Sequence, residues 1–199
     1  MKYQKIALNV CLGMLTCLFL IVSPSFSINS VQKISAPNIT QHQKEAEKEI
    51  NRNLIAQSSS ELKRFVAIMS GDEIVPSAVS TPAIGVVGAV LKDNRLVIRG
   101  SFSNLSSPLR DYATDPLSPP NPNITSGVHI HRGAPSANGP FQYALSVEPS
   151  KDGLGGSLKG EYMLNEEQLK ALNSSGLYVD LHTKSNRAGE LRGILKAAS

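Results

Sequence analysis

The pattern of apolar and polar positions divides the chain into three parts. Residues 6–22 are almost wholly apolar, and residues 28–63 are polar with few aromatic side chains. From Arg64 onward, short apolar runs alternate with Gly, Pro, Asn and Ser, a pattern typical of antiparallel β-sheets. The predicted strands are 65–69, 84–91, 95–102, 127–133, 141–147, 157–163, 177–183 and 190–196.

Seven or eight short strands with turns between them predict an all-β fold, an antiparallel Greek-key β-sandwich or barrel. With no Trp and 5% aromatic residues, its core must be mostly Val, Ile and Leu. One short helix is expected over 165–172, because Asn165 can cap it and acidic residues occupy its first turn. Residues 106–123 are rich in Pro, Ser and Asn and are predicted to form a long loop.

The N-terminal segment has the features of a signal peptide. A basic start and the apolar run are followed by small residues, which predicts a leader over 1–27 with cleavage near Ser27. Because the apolar run is long for a leader, an uncleaved membrane anchor is the alternative. Both cysteines, Cys11 and Cys17, lie in this segment, so the mature chain would have no disulfide.

Residues 28–63 are interpreted as a polar linker, partly helical or disordered, ahead of a domain over 64–196 and a tail over 197–199. A helix is conceivable over 41–50, but its thin apolar stripe has little to bury, which favours a mobile linker. His42 lies in this linker, with no pattern of partners around it.

Charge and motif content exclude several classes of function. The formal net charge is +4, and removal of the leader with its two lysines would leave +2. No basic run is present, which argues against a nucleic-acid partner. We find no glycine-rich phosphate loop, serine nucleophile elbow or cysteine nucleophile, so the pattern favours a non-enzymatic module over an enzyme.

Three of the four histidines fall on predicted strands with strict alternation. Successive side chains of a strand point to opposite faces, so an apolar core face implies a polar face opposite it. That polar face would collect His129, His131, Asp180, His182, Glu190 and Arg192.

Two interpretations of this face remain open. Histidines two apart on one strand, joined by a third from another strand, could bind Zn²⁺ or Cu²⁺. Asp180 or Glu190 could then be a fourth ligand or could orient an imidazole. Such binding should weaken as the pH falls through about 6.5, because a protonated imidazole cannot coordinate. Alternatively, the same side chains form a polar hydrogen-bonded network under the 106–123 loop.

The motifs together resemble the CHRD domain, the module named after chordin. The resemblance rests on Phe65 to Pro76, Gly127 to Gly133 with Asn138-Gly139-Pro140, Leu177 to Thr183, and Gly189 to Gly193. It covers about residues 64–196 and implies an extracytoplasmic β-sandwich with no established catalysis. Gly133, Gly139, Gly189, Arg192 and Gly193 are the structural residues of these motifs, and the 106–123 segment is longer than the resemblance leads us to expect.

From these observations we expect a secreted or periplasmic CHRD-domain protein that binds another protein or an envelope component. Contact with a membrane is expected only through the N-terminal segment, if it stays uncleaved. The alternative is a Zn or Cu protein that uses His129, His131 and His182. Its paired histidines are remotely similar to those of copper/zinc superoxide dismutase, but the mature chain has no cysteines and too few histidines for a second metal, which argues against dismutase activity.

Overall fold

The computed structural model describes residues 38–52 and 61–198, which form two α-helices and ten β-strands. The predicted leader and its cleavage site lie outside the described residues. The elements are α1 (Ile39–Arg52), β1 (Lys63–Met69), β2 (Ile84–Lys92), β3 (Arg95–Ser103), β4 (Val128–Arg132), β5 (Phe141–Ala144), β6 (Ser146–Pro149), β7 (Gly156–Met163), α2 (Glu166–Asn173), β8 (Leu177–Leu181), β9 (Leu191–Ile194) and β10 (Lys196–Ala197). Neither helix combines the length and apolar character that a membrane span requires.

The strands form two antiparallel sheets that pack as a sandwich. The six-stranded sheet has the order β10-β1-β2-β3-β7-β6, and the four-stranded sheet has the order β5-β4-β8-β9. One buried cluster joins residues of both sheets, including Phe65 and Ile98 of the first and Ile130 and Val179 of the second. Because these side chains alternate with residues on the outer faces, each strand contributes to the core and to one outer surface. The predicted all-β sandwich is confirmed.

Two segments that the sequence predicted as single strands each cross from one sheet to the other. β5 belongs to the four-stranded sheet and β6 to the six-stranded sheet, with Leu145 between them. β9 and β10 divide between the same two sheets at Leu195. Both leucines are at most 1% exposed and lie in the core, so each crossing point fills the space between the layers.

The helix α1 packs on the outer face of the six-stranded sheet. Its Ala46 and Ile50 are fully buried and cluster with Val90 of β2 and Val97 of β3. Gly88 allows this close approach, because a Cβ there would lie 2.7 Å from a backbone nitrogen of the helix. The helical part of the predicted linker therefore does have a surface to bury, in contrast to the mobile linker that its thin stripe indicated.

Two further local predictions agree with the structure. The helix predicted over 165–172 is α2, and its capping box joins Asn165 and Gln168 by hydrogen bonds of 2.9 and 3.0 Å. Residues 106–123 are all described and contain no helix or extended strand, as predicted for the loop. This loop crosses the end of the four-stranded sheet at the isolated bridge between Leu109 and Thr183.

Candidate functional site

Three histidines converge at the outer face of the four-stranded sheet. His129 and His131 lie on β4, where the alternating residues Val128 and Ile130 are turned into the core. β8 pairs with β4 in a register that places Asp180 opposite His129, and His182 follows directly after β8. One potential ligand atom from each histidine lies within 4.8 Å of the others. The pairing of β4 with β8, which the sequence could not establish, thus brings the third histidine to the first two.

Backbone carbonyls fix which ring nitrogen of each histidine carries the proton. His129 Nε2 donates to Ser126 O at 2.5 Å, while Nδ1 of His131 and of His182 donate to Gly139 O and Arg187 O at 3.0 Å. A carbonyl oxygen only accepts, so the second nitrogen of each neutral ring keeps its lone pair. Within the described residues, Nε2 of His131 and Nε2 of His182 are buried without a hydrogen-bond partner.

The surroundings keep two of these imidazoles neutral. His129 is 1% exposed, and burial, with a smaller contribution from nearby His182, lowers its pKa from 6.5 to about 3. Burial also lowers the pKa of His182, although the nearby Asp180 carboxylate opposes the shift. The neutral ring is the form that coordinates a metal ion.

The arrangement fits a small transition-metal ion after a modest movement of the rings. Zn²⁺ binds imidazole nitrogen at about 2.0–2.1 Å, which in tetrahedral geometry places the nitrogens roughly 3.4 Å apart. The three ligand atoms lie at most 4.8 Å apart, so the rings would have to draw together by up to about 1.4 Å. Three protein ligands would leave the fourth position of a tetrahedral ion open.

Aromatic rings surround the three histidines. Tyr112 lies 5.2 Å from His129 between ring centroids, and Phe141 lies 5.5 Å from the same ring. Tyr178 stacks on His131 with centroids 5.5 Å apart and planes inclined by 7°. Packing of His129 against Tyr112 and Phe141 contributes to the burial that lowers the pKa of His129.

The loop residues of this enclosure were missed from the sequence. Tyr112 comes from the 106–123 loop, and the buried guanidinium of Arg110 lies over its ring at 4.5 Å. Arg110 also donates to the carbonyl oxygens of Asp115 and Arg187, which joins the two loops beside the histidines. The composition of the loop could have pointed to them, because Tyr112 is the only aromatic residue and Arg110 the only basic residue among residues 106–123.

Asp180 lies on the histidine face but its carboxylate is bound by Arg192. The two side chains are buried, and Nε and Nη2 of Arg192 donate to the two carboxylate oxygens at 2.7 Å each. Such a bidentate pair compensates two buried charges. Asp180 is not one of the converging ligand side chains, although its charge is felt by His182.

Glu190 lies outside the histidine group. Its fully buried carboxylate accepts hydrogen bonds of 2.7–2.8 Å from the hydroxyls of Thr81, Ser106 and Thr183 and from Ser106 N. Burial opposes ionisation, but these hydrogen bonds hold the pKa of Glu190 below its usual value. The four donors use the oxygens that a metal ion would need, so Glu190 joins loops at the end of the sandwich.

The glycines of the sequence motifs serve close approach and turn geometry. A Cβ on Gly139 would collide with a carbonyl of β4, and one on Gly193 would lie 2.8 Å from a carbonyl of β1. Gly133 faces Gly139, where a Cβ would meet the other Cα at 3.1 Å. Gly189 has a φ of 133°, which an L side chain rarely adopts.

The comparison with known families agrees with this architecture. The chain matches the family model of the CHRD domain over residues 65–195. The match extends from within β1 to the residue after β9 and includes all three converging histidines. No curated protein matches the chain significantly.

Proposed function

The chain belongs to the CHRD domain family, and on this premise we propose that it is an exported module that binds Zn²⁺ or Cu²⁺ through His129, His131 and His182. The observation that supports the proposal is the convergence of one ligand atom from each side chain within 4.8 Å. Imidazole nitrogen suits these two ions, whereas Ca²⁺ and Mg²⁺ prefer oxygen ligands.

The unsatisfied ring nitrogens favour a metal site over a closed polar network. A network would use both nitrogens of each ring, but Nε2 of His131 and Nε2 of His182 find no partner within the described residues. Leaving a buried polar atom unsatisfied costs about 1–3 kcal/mol. An ion bound by these lone pairs would offset that cost.

Export is supported by the N-terminal sequence pattern of residues 1–27. Mass determination of the N-terminus from the native compartment tests it. A chain that begins near Ile28 is the expected result, whereas an intact Met1 in the membrane fraction would favour the anchor.

The metal proposal is tested by calorimetric titration of the purified protein with Zn²⁺ and with Cu²⁺ at pH 7.5. We expect one ion per chain and, for His131→Ala, an affinity reduced by more than about 100-fold, beyond the range of outer-shell changes. The matched control is His42→Ala, because His42 lies on α1 and bonds Ser101 at 2.9 Å, away from the site. Equal affinity in wild type and His131→Ala, or no binding by wild type, would reject the site.

A second candidate is a binding module for another protein or an envelope component. A surface cavity of about 690 Å³ favours it, lined by residues 133–135, by Pro140 and by one side of α2 that includes Lys170 and Ala171. Pull-down from envelope or medium extracts tests this function, with Ala171→Arg as the variant that fills the cavity. Capture that Ala171→Arg leaves unchanged would contradict a role for the cavity.

A further inference from the structure

We infer that Tyr178 is a positioning residue for the metal site. Tyr178 holds the His131 imidazole in the orientation and the tautomer that leave the Nε2 lone pair available to an ion. The inference rests on the proposed metal function. It also gives a role to Gly139, Tyr178 and Arg192, three residues of the sequence motifs that are not themselves metal ligands.

The first contact is between the two rings. Tyr178 lies opposite His131 in the pairing of β8 with β4. The rings stack with their centroids 5.5 Å apart and an angle of only 7° between their planes. This nearly parallel contact restricts the tilt of the imidazole.

The second contact runs through the peptide groups of Gly139. Its N–H donates to Tyr178 Oη at 2.6 Å, and its carbonyl accepts from His131 Nδ1 at 3.0 Å. Tyr178 therefore holds the same residue whose carbonyl selects the tautomer of His131. Only a glycine can occupy this place, because a Cβ would collide with the carbonyl of Arg132.

Arg192 supports this arrangement from the adjacent strand β9. Its guanidinium carbon lies 4.2 Å from the centre of the Tyr178 ring. Its Nη2 donates to Asn138 Oδ1 at 2.7 Å, which fixes the residue before Gly139. Asp180 balances the buried charge of Arg192. The histidine, glycine-proline, tyrosine and arginine motifs thus act together on one imidazole.

The expected consequence is a loss of affinity without a loss of the fold. When a group that orients a ligating histidine is removed, metal affinity typically falls by 10–100-fold. Tyr178→Phe keeps the ring stack and removes only the oxygen that accepts the Gly139 N–H. A loosened Gly139 carbonyl would then let His131 populate its second tautomer, which places the proton on Nε2.

The experiment compares Tyr178→Phe with Tyr143→Phe in the full protein. Tyr143 is the matched control, because its hydroxyl donates to Gln168 Oε1 at 2.8 Å and it lies beside α2. Zn²⁺ affinity is measured by calorimetry, and the His131 tautomer is read from ¹⁵N chemical shifts of the metal-free protein. We expect Tyr178→Phe alone to lower the affinity by about 10-fold and to shift the His131 signals toward a tautomer mixture.

Unchanged affinity and an unchanged tautomer in Tyr178→Phe would overturn the inference, as would equal losses in both variants. If wild type binds no metal, the proposed function fails, and the tautomer of metal-free Tyr178→Phe still decides whether Tyr178 positions His131. Should Tyr178→Phe not fold, Asn138→Ala replaces it, since Asn138 is exposed and also supports Gly139. A tautomer mixture in that variant supports the inference, and a single unaltered tautomer rejects it.

Discussion

The outer faces of the two sheets are both covered, but by different chemistry. On the six-stranded sheet, α1 covers the strands with Ala46 and Ile50, and ion pairs such as Arg64–Glu47 lie at the rim. On the four-stranded sheet, the covering loop supplies Arg110 and Tyr112 above histidines and a buried ion pair. One face is an apolar contact, and the other is a buried polar assembly.

The two faces differ in how many directional contacts they need. Apolar contacts are not directional, so the α1 face needs mainly shape, and the buried Nδ1 of His42, which makes no hydrogen bond among the described residues, lies 3.5 Å from the Glu45 carboxylate. Buried polar groups need defined partners, and nearly all find them in native proteins. On the histidine face the Asp180 carboxylate and the Arg192 guanidinium are paired, whereas the Nε2 atoms of His131 and His182 are without a partner in the described part of the chain.

The largest effect is expected from breaking the buried ion pair of the histidine face. Asp180→Ala leaves the buried Arg192 guanidinium without its bidentate partner. Removal of one member of a buried pair costs about 3–5 kcal/mol, because the other charge stays uncompensated. Urea denaturation should therefore show the free energy of unfolding lowered by about that amount.

The control for this variant is Glu148→Ala. Glu148 pairs with Lys159 at 2.7 Å on the exposed surface, where solvent screens ion pairs so that they contribute little to stability. If the two variants lose the same stability, the Asp180–Arg192 pair is not the buried support that its geometry indicates.

A smaller effect is expected from weakening the apolar face. Ile50→Ala removes a fully buried side chain between α1 and the sheet and should cost about 2–3 kcal/mol, the lower part of the range for a core isoleucine. Because the contact is peripheral, hydrogen exchange should accelerate mainly in residues 39–52, and Zn²⁺ affinity should not change. Ile68→Ala, at a side chain that is 65% exposed, is the control and should be nearly neutral. Equal hydrogen-exchange rates over residues 39–52 in Ile50→Ala and Ile68→Ala would contradict the packing of α1 on the sheet.

The smallest effect is a pH dependence that arises from the histidine face. His129 binds a proton near pH 6.5 in the unfolded chain and near pH 3 in the folded protein, so the unfolded state holds more protons between these values. The contribution of a neutral His129 to the free energy of unfolding is therefore complete above about pH 6.5 and is lost as the pH decreases toward 3. Between pH 6.5 and 5, the metal-free protein should lose about 2 kcal/mol through His129.

This pH window separates the histidines from the carboxylates. Glu190 has a lowered pKa, so its contribution is lost only below the usual carboxyl value of about 4.3. Chemical denaturation at pH 6.5 and pH 5 should show a smaller difference in the free energy of unfolding for His129→Gln than for wild type. An identical pH dependence in His129→Gln would contradict a buried neutral His129.

Much of the fold followed from local pattern. Alternation predicted the strands and their core faces, and Asn165 with its following acidic residues predicted α2 to within one residue. The crossings at Leu145 and Leu195 were not predictable, because an apolar residue in an extended run looks the same whether the strand continues or changes sheets. The docking of α1 was missed because its surface lies on β2 and β3, outside the helix sequence.

For the site, strand alternation alone identified the candidate residues: two histidines on one face of a strand, a third near the end of another strand, and the glycines of the motifs. The pairing of β8 with β4, which brings His182 to His129 and His131, is visible only in the folded protein. The fold also shows that the Glu190 carboxylate accepts hydrogen bonds from hydroxyls outside the histidine group, that Arg192 pairs with Asp180, and that Tyr112 packs against the histidines. The cause is the separation of the residues along the sequence. Strand alternation is a local property of the backbone, whereas strand order and hydrogen-bond partners depend on residues far apart in the chain.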